Sequence, residues 1–423
     1  MKSGRTIAEI SRTAGVPIQN MHHYISKSPW SGEKVIKQAR LDITTHPHFA
    51  SGSVLIGDES ADERRGDVLV GGGKQYNGRL GKVDLSQVGV FLSLANNGKH
   101  NWLDGELFLP EAWFDEAHQG LRERLGVPEE RRFQTKLELF WQMVQRSQRE
   151  GVAFDAVAID GFYGQSFWLR QQLDQANIEF YADVPANTKV YLSKPIIGIP
   201  QNRRGPKAKK PKVLSPLAYR VENLRDHPSV LWQSLTIRPT ERGWLTAEFA
   251  RIPVWTVQED SLIVTKQWLL MRRQGKKVSY TFSNAAADTS LQTMALRKSQ
   301  RYFIERDNQE AKSREPFGRG WDEIQTTTFL AWQHQLAFTI LAQWFITQTR
   351  LDWEARIDRD PQLLAQYEVS LLPALSVANV RELLRAVLPL PTLSPLDAAS
   401  LVVEHLDNRT RSRKSRLLNR SGP

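Results

Sequence analysis

Two segments of the chain are the most informative about its fold, VLIGDES at residues 54–60 and AVAIDG at residues 156–161. Each begins with a short apolar run and then reaches an acidic residue, Asp58 in the first and Asp160 in the second. A short, wholly apolar run bounded by turn residues is typical of a strand that is buried on both faces of a sheet. We therefore predict two buried strands that end at Asp58 and Asp160.

The segments around these strands predict a mixed α/β sheet. The glycine-rich stretch 71–82 favours antiparallel connections in the first half of the sheet. Hydrophobic periodicity predicts strands at 88–94 and 102–109, a helix at 135–149, a helix at 167–176 and a strand at 178–184. This is the ribonuclease H-like order, a mixed five-stranded sheet flanked by helices. Its first and fourth strands are neighbours, so we expect Asp58 and Asp160 to meet.

Changes in composition divide the rest of the chain. A basic, proline-rich stretch at 202–212 is followed by four predicted strands, and two helices are predicted at 296–312 and 323–348. The predicted regions are a helical, helix-turn-helix-like DNA-binding region (1–50), the first part of a ribonuclease H-like catalytic domain (51–184), a β-rich insertion (185–295), the second part of the catalytic domain (296–350), a C-terminal helical region (351–408) and a basic tail (409–423).

The first 26 residues have the outline of a helix-turn-helix. Apolar residues recur at helical spacing on both sides of Gly15-Val16-Pro17, which breaks the pattern. The second helix would expose Gln19, Asn20, His22 and His23, which are side chains that can read DNA. A plain helical hairpin that supports the catalytic domain is the alternative.

Charge and composition restrict the partners of the chain. The formal net charge of +11 favours a polyanionic partner, namely nucleic acid or an anionic membrane. The most apolar stretch, 329–346, contains glutamines and a histidine and is therefore predicted to be a buried helix and not a membrane span. No secretion signal is seen at the N-terminus, which predicts a cytoplasmic protein. With no cysteine, a metal ion would have to bind carboxylates, which suits Mg²⁺ or Mn²⁺.

A third acidic residue is needed if Asp58 and Asp160 bind the metal ions that phosphodiester chemistry requires. In the predicted helix at 296–312, Arg301 and Lys312 lie four positions before and seven after Glu305, on one helical face. A solvated helix face with ordinary ion pairs explains the same spacing. Glu59 is an alternative to Asp58, although the two side chains must face opposite ways in a strand, and Glu310 is expected to face solvent.

The segment RYFIERDNQEAK (301–312) resembles the signature of DDE insertion-sequence transposases, in which Tyr, Arg, Glu and Lys are separated by two, three and six residues. Arg301, Glu305 and Lys312 match this pattern, whereas Lys298 stands at the position of the tyrosine. The segments LIGDES, QYNGRLGKVDLSQVGVF, DGELFLP and AIDGFYG also resemble the endonuclease domain of that family. The resemblance spans about residues 53–344.

The resemblance implies a set of functional residues. It makes Asp58, Asp160 and Glu305 the catalytic triad that binds two Mg²⁺ or Mn²⁺ ions. It makes Arg301 and Lys312 contacts to transposon-end DNA, with Lys298 at the site of the family's tyrosine. Further candidate DNA contacts are Trp268, as the aromatic residue that stacks a flipped base, and Arg203 and Arg204 in the basic loop.

Alternatives remain for these last contacts. Trp255 is the second candidate for base stacking, and because the chain has 13 tryptophans, Trp268 can equally be a core residue. The basic loop and the basic tail can bind phosphates or simply keep the protein soluble.

The function implied by the resemblance is transposition of DNA. Such an enzyme cuts transposon ends and joins the freed 3′-OH to target DNA. Its expected partner is double-stranded DNA, at the ends and the target, and it is expected to act as a homodimer at the bacterial nucleoid. Two alternatives stay open, a DNA-binding regulator derived from a transposase and lacking catalysis, and a ribonuclease H-like nuclease without strand transfer.

Overall fold

The computed structural model describes residues 7–64, 68–77, 81–200, 210–240, 243–258, 260–312, 321–322 and 325–372, together with a few positions from 374 to 403. The chain divides into two units, Met1–Leu351 and Asp352–Pro423. The predicted basic loop, including Arg203 and Arg204, and the basic tail lie outside the described residues.

The described residues form the following helices and strands. The helices are α1 (Ile7–Ala14), α2 (Ile18–Ser26), α3 (Gly32–Thr45), α4 (Gln119–Arg124), α5 (Lys136–Arg149), α6 (Gly161–Gly164), α7 (Phe167–Gln175), α8 (Leu291–Ser299), α9 (Tyr302–Ala311), α10 (Phe329–Arg356) and α11 (Pro361–Tyr367). The strands are β1 (Val54–Glu63), β2 (Gly73–Asn77), β3 (Lys82–Asn96), β4 (Lys99–Phe108), β5 (Ala156–Ile159), β6 (Phe180–Val184), β7 (Lys189–Val190), β8 (Ile196–Gly198), β9 (Lys212–Ser215), β10 (Tyr219–Arg220), β11 (Gln233–Thr240), β12 (Gly243–Val257), β13 (Val264–Gln274) and β14 (Lys277–Ser283).

A mixed sheet runs through the first unit, as predicted. β1, β3 and β4 pair antiparallel, whereas β1–β5 and β5–β6 are parallel pairs. The first four residues of β1 and all of β5 are buried, since helices cover both faces of the sheet at this point. α5 packs on β1, β3 and β4, and α9 packs on the same three strands. The predicted neighbourhood of the first and fourth strands is confirmed.

β1 is longer than predicted. It continues past Asp58 to Glu63, because its antiparallel pairing with β3 extends as far as Glu63 opposite Ser86. The parallel pairing with β5 stops earlier, at Gly57 opposite Ile159. Asp58 is thus inside a strand, not at its end, yet it is the first residue of β1 beyond the last pair with β5.

The inserted strands extend the same sheet, so that it has ten strands and not five. Along the sheet the order is β11-β12-β13-β14-β6-β5-β1-β3-β2, with β4 also paired to β3. The junction is the antiparallel pairing of β14 with β6, from Tyr280 opposite Val184 to Ser283 opposite Tyr181. Two small two-stranded sheets, β7 with β10 and β8 with β9, lie outside this sheet.

The predicted helix at 296–312 is two helices. α8 ends at Ser299 and α9 begins at Tyr302, with a tight turn between them in which the amide of Arg301 donates to the carbonyl of Lys298. The turn places the side chains of Lys298 and Arg301 against a common partner, Asp183. Hydrophobic periodicity reports only local sequence, so it could not predict this long-range contact.

The other helices that the sequence predicted are present. α1 and α2 form the predicted helical pair, and the predicted helix at 135–149 is α5, which begins with a capping box between Thr135 and Glu138. α10 is the predicted buried helix, and its His334 ring lies between the carbonyls of Ile25 and Trp30, at 2.8 Å from each. Within the described part of the chain, no helix is long and apolar enough to cross a membrane.

The close packing of the short helix α6 against the backbone of Asp183 can be tested at Gly164. A Cβ added there would lie 2.1 Å from the backbone oxygen of Asp183, whereas one added at Gly161 would have nothing nearer than 4.0 Å. Gly164→Ala should therefore lower the free energy of unfolding by about 2 kcal/mol or more, because a backbone atom cannot move aside as a side chain can. Urea unfolding measures the loss, and Gly161→Ala is the matched control. Equal stability of the two variants would contradict this packing.

Candidate catalytic site beside strands β1 and β5

Asp58 and Asp160 are brought together by the parallel pairing of β1 and β5. Each is the next residue after the last paired positions, Gly57 and Ile159, so both leave the pairing at the same level. Burial is the main cause of the raised pKa of Asp58, and the negative charge of Asp160 contributes to it. Two carboxyl groups that are distant in sequence therefore share one small region.

Burial of these two side chains destabilises their negatively charged carboxylate forms. Burial, followed by the charges of Glu59 and Asp160, raises the pKa of Asp58 to about 8. Burial also raises the pKa of Asp160, although two backbone amides bond to this carboxylate. A carboxyl pair with raised pKa values in a partly buried position is the electrostatic pattern of a functional site.

The orientation of Asp160 is set by the start of α6. Asp160 is the N-cap of this helix, and its Oδ1 accepts hydrogen bonds from the amides of Phe162 at 3.0 Å and Tyr163 at 3.1 Å. The Tyr163 ring is fully buried behind the pair, and its own pKa is raised well above the ordinary value, first by burial and then by Glu59 and Asp58. The helix start therefore fixes one of the two acids.

Glu305 forms an ion pair with Arg301. Its Oε1 is 2.7 Å from the guanidinium of Arg301, as the spacing of four residues predicts. Burial raises the pKa values of both Asp58 and Asp160, and the positive charge of Arg301 opposes this rise at each of them. In the described residues, however, no three acidic or histidine side chains are close enough together to form a metal site.

Asp183 is a fourth acid that the sequence analysis missed. It lies near the end of β6, the strand next to β5, and its Oδ2 is 3.3 Å from Nε of Arg301. Its Oδ1 is 3.4 Å from Nζ of Lys298 and accepts a hydrogen bond of 2.6 Å from the hydroxyl of Thr281. The signal was present, because side chains at the carboxyl ends of adjacent parallel strands meet at one edge of the sheet.

Lys312 is placed away from the acid pair. Its ammonium is 2.8 Å from Oδ1 of Asp62 and donates to the carbonyl of Ala61 at 3.2 Å. The other oxygen of Asp62 accepts a 2.5 Å hydrogen bond from the indole of Trp321. Because Asp62 is buried and four residues beyond Asp58 in β1, this cluster fixes the end of α9 to the strand of the first acid.

A second buried contact holds α9 at its middle. The carboxylate of Asp307 is 2.8 Å from Nδ1 of His100 in β4, and both side chains are buried. The next residue, Asn308, accepts a hydrogen bond of 3.2 Å from the indole of Trp102, also in β4. The helix that carries Glu305 is thus bonded to β4 as well as to β1.

Two further acids, Glu59 and Glu310, lie in β1 and α9. Glu59 faces the opposite side of β1 from Asp62, where its Oε1 is 3.1 Å from Nζ of Lys136 in α5. Glu310 was predicted to face solvent, and this is wrong: its side chain is only 7% exposed and pairs with Arg306. The reason is that α9 is covered on more than one side, so its polar residues do not form one solvated face.

The tryptophans of the inserted strands are flanked by cations. The ring of Trp268 lies 4.4 Å from the guanidinium carbon of Arg251, and its indole donates to the carbonyl of Ala285 at 3.0 Å. The ammonium groups of two lysines lie near the centre of the Trp255 ring, Lys194 at 5.9 Å and Lys266 at 6.0 Å. One face of Trp268 is therefore covered in this structure, and base stacking by either residue stays a prediction.

The sequence of the chain is similar to those of known proteins. The sequence model of a family described as "DDE superfamily endonuclease" matches residues 1–243. A protein described as "Probable transposase for insertion sequence element IS701" from Microchaete diplosiphon is 28% identical over 190 residues. That similarity covers 44% of this chain and 46% of the relative.

The Asp62 cluster gives a testable consequence for stability. Asp62→Asn should lower the free energy of unfolding by about 3 kcal/mol, because it leaves the ammonium of Lys312 without a counter-charge. Adding Lys312→Met should recover part of this loss, since no unpaired charge then remains. Denaturant unfolding measures both changes.

Asp84→Asn is the control for this experiment. Asp84 forms a comparable ion pair with Lys82, but that pair is exposed to solvent. Removing it should leave the unfolding midpoint unchanged. An Asp62 variant as stable as the Asp84 variant would show that the Asp62 cluster does not hold α9.

Proposed function

Because the chain belongs to the DDE superfamily of endonucleases, we propose that it is a transposase, which cuts DNA at transposon ends and joins the freed 3′-OH to target DNA. One observation carries the proposal: Asp58 and Asp160 meet beside the β1–β5 pair, and the charge of Arg301, which bonds to Glu305, acts on both of these acids. The relative described as a probable transposase and the net charge of +11 support DNA as the substrate.

The acid pair fits a divalent cation. Two partly buried carboxyl groups with raised pKa values repel one another, and a divalent cation would neutralise both. Oxygen ligands are the kind that Mg²⁺ and Mn²⁺ prefer. We propose that Asp58, Asp160 and Glu305 hold two such ions, which when bound activate the attacking oxygen and stabilise the leaving oxygen.

The protein groups around the acids have their own tasks in this proposal. Arg301 holds the carboxylate of Glu305 and would present positive charge to the phosphodiester. The N-terminal amides of α6 hold Asp160 in one orientation. The contacts of α9 with β1 and β4 keep Glu305 at a constant distance from the strands. Catalysis here depends on positioning, which suits a reaction with little covalent participation of the protein.

The N-terminal helices are proposed to bind DNA. Gln19, Asn20, His22 and His23 are all exposed on α2, in agreement with a surface that reads a groove. We also propose that two copies act together, because two transposon ends must be held at once, and that the protein works in the cytoplasm at the bacterial nucleoid. These parts of the proposal are separable from the catalytic one.

Substitution of the three acids tests the catalytic part. Asp58→Asn, Asp160→Asn and Glu305→Gln should each lower DNA cleavage by roughly a thousandfold or more, because each removes a charge that holds the ions. Cleavage of a duplex that carries the transposon end measures this, and a gel shift should show DNA binding largely retained. Glu59→Gln, at the position next to Asp58, is the matched control and should remain active.

Metal removal completes this test. Chelation with EDTA should abolish cleavage by the unaltered protein, and added Mg²⁺ or Mn²⁺ should restore it. Cleavage at the unaltered rate by any of the three acid variants would mean that the wrong residues have been assigned.

Joining of DNA ends distinguishes a transposase from its alternatives. Where inverted repeats are found to bracket the gene, a duplex made from one of them with a pre-cut 3′-OH should become covalently joined to a plasmid target. Nicked plasmid without joined product would favour a nuclease that lacks strand transfer. A clear gel shift with no metal-dependent product at all would favour a DNA-binding regulator.

A further inference from the structure

Arg170 in α7 is a buried cation, with only 7% of its surface exposed. Burial lowers the pKa of its guanidinium to about 10, and no acidic side chain of the described residues opposes this effect. Its Nε is also buried and has no hydrogen-bond partner in the part of the chain that the structure describes. A buried charge that is left unpaired costs free energy, so the retention of this arginine calls for an explanation.

The guanidinium of Arg170 bonds to the end of α6. One of its terminal nitrogens donates to the backbone carbonyl of Gly164, the last residue of that helix. Its carbon lies 5.4 Å from the ring centre of Phe282 in β14 and 5.9 Å from that of Phe167 at the start of α7. The two rings stabilise the position of the cation. Arg170 is thus a fixed donor at the end of α6 that is opposite to Asp160.

We propose that Arg170 is a positioning residue for the catalytic site: it anchors the last residue of α6 and so keeps the carboxylate of Asp160 in the orientation that suits a metal ion. The inference rests on the proposed function, because it concerns the ion that Asp160 is proposed to hold. Arg170 acts through α6 in this proposal and touches neither the DNA nor the ion.

The first argument is the short path from Arg170 to Asp160. α6 is a single turn of four residues, in which the amide of Gly164 donates to the backbone carbonyl of Asp160 at 2.7 Å. The carboxylate of Asp160 accepts hydrogen bonds from the amides of Phe162 and Tyr163 in the same turn. A single helical turn is unstable by itself, because its formation fixes several backbone angles for one hydrogen bond. Contacts from outside the turn must therefore hold it, and with it the carboxylate.

The second argument is that Arg170 restrains α6 in a direction that the contact of α6 with β6 does not. Gly164 lies so close to the backbone of Asp183 in β6 that an added Cβ would be 2.1 Å from its oxygen. This contact prevents α6 from moving closer to β6, but it does not prevent movement away. Phe282, which lies against the guanidinium, pairs with Ala182 of β6. The hydrogen bond from Arg170 therefore ties the end of α6 to the same part of the sheet and opposes its separation.

The third argument is the type of residue. The guanidinium lies against two phenylalanine rings, where an apolar side chain could pack without the cost of burying a charge. A charged donor, however, makes a stronger hydrogen bond to a carbonyl than a neutral donor does, and positive charge is favourable at the C-terminal end of a helix. A loss of stability in return for a firmly held helix end is typical of a functional site.

Arg170→Met tests the inference, because methionine is long enough to fill the space but carries neither the charge nor a donor. The Mg²⁺ concentration that gives half-maximal cleavage of the transposon-end duplex should rise by roughly tenfold or more, as is usual when a group that orients a metal ligand is removed. The unfolding midpoint of the full chain should stay the same or rise, since a buried charge has been removed. Arg170→Lys should keep most of the cleavage, because its ammonium can donate to the same carbonyl.

Hydrogen exchange of the free protein is a second measurement, and it needs neither DNA nor metal. The amides of Phe162 and Tyr163 should lose protection in Arg170→Met, because the end of α6 is no longer held. Arg149→Met is the matched control, since Arg149 is an exposed arginine that donates to the carbonyl of Gln145 within α5. It should leave the exchange of these two amides and the Mg²⁺ dependence of cleavage unchanged.

Unaltered Mg²⁺ dependence and unaltered exchange of the Phe162 and Tyr163 amides in Arg170→Met would overturn the inference and leave the proposed function intact. A lower unfolding midpoint with unaltered exchange of these amides would also overturn it, since Arg170 would then be an ordinary core residue. An unaltered protein that cuts no DNA with any divalent metal would overturn the proposed function, whereas the exchange measurement would still decide whether Arg170 holds α6.

Discussion

The parallel hydrogen bonding of β1 to β5 is the constraint on which the site depends. It brings Asp58 and Asp160 to the same level from segments that are far apart in sequence, and it does so through four pairs of buried residues. Because those pairs are apolar and covered on both faces, the strands cannot slip without exposing core side chains. The acids therefore keep their relation whether or not a ligand is present.

Arg301 has a comparable role for the charges of the site. Burial and mutual repulsion make the Asp58–Asp160 pair unfavourable, and Arg301 is the cation that opposes this effect on both acids while bonding to Asp183 and Glu305. A site of this kind is electrostatically strained in the absence of further cations.

The sequence predicted the local elements of the fold better than their long-range contacts. The apolar runs before Asp58 and Asp160 and the capping box at Thr135 are local signals, and the strands and the helix that they predicted are present. The break between α8 and α9 was missed because it follows from contacts with Asp183, a residue more than a hundred positions away. Asp62 was missed for the same reason, since nothing near it in sequence indicates that Lys312 and Trp321 will bond to it.

The union of the inserted strands with the main sheet has a mechanical consequence. β14 and β6 share four residue pairs, so β11–β14 cannot swing as a lid about a hinge without breaking a buried seam of hydrogen bonds. The inserted strands and the strands that carry the acids are accordingly parts of one continuous sheet. For the DNA substrate that we propose, any distortion needed to fit this sheet would come from bending or unstacking of the nucleic acid, so sequences that deform easily would cost the least free energy to bind.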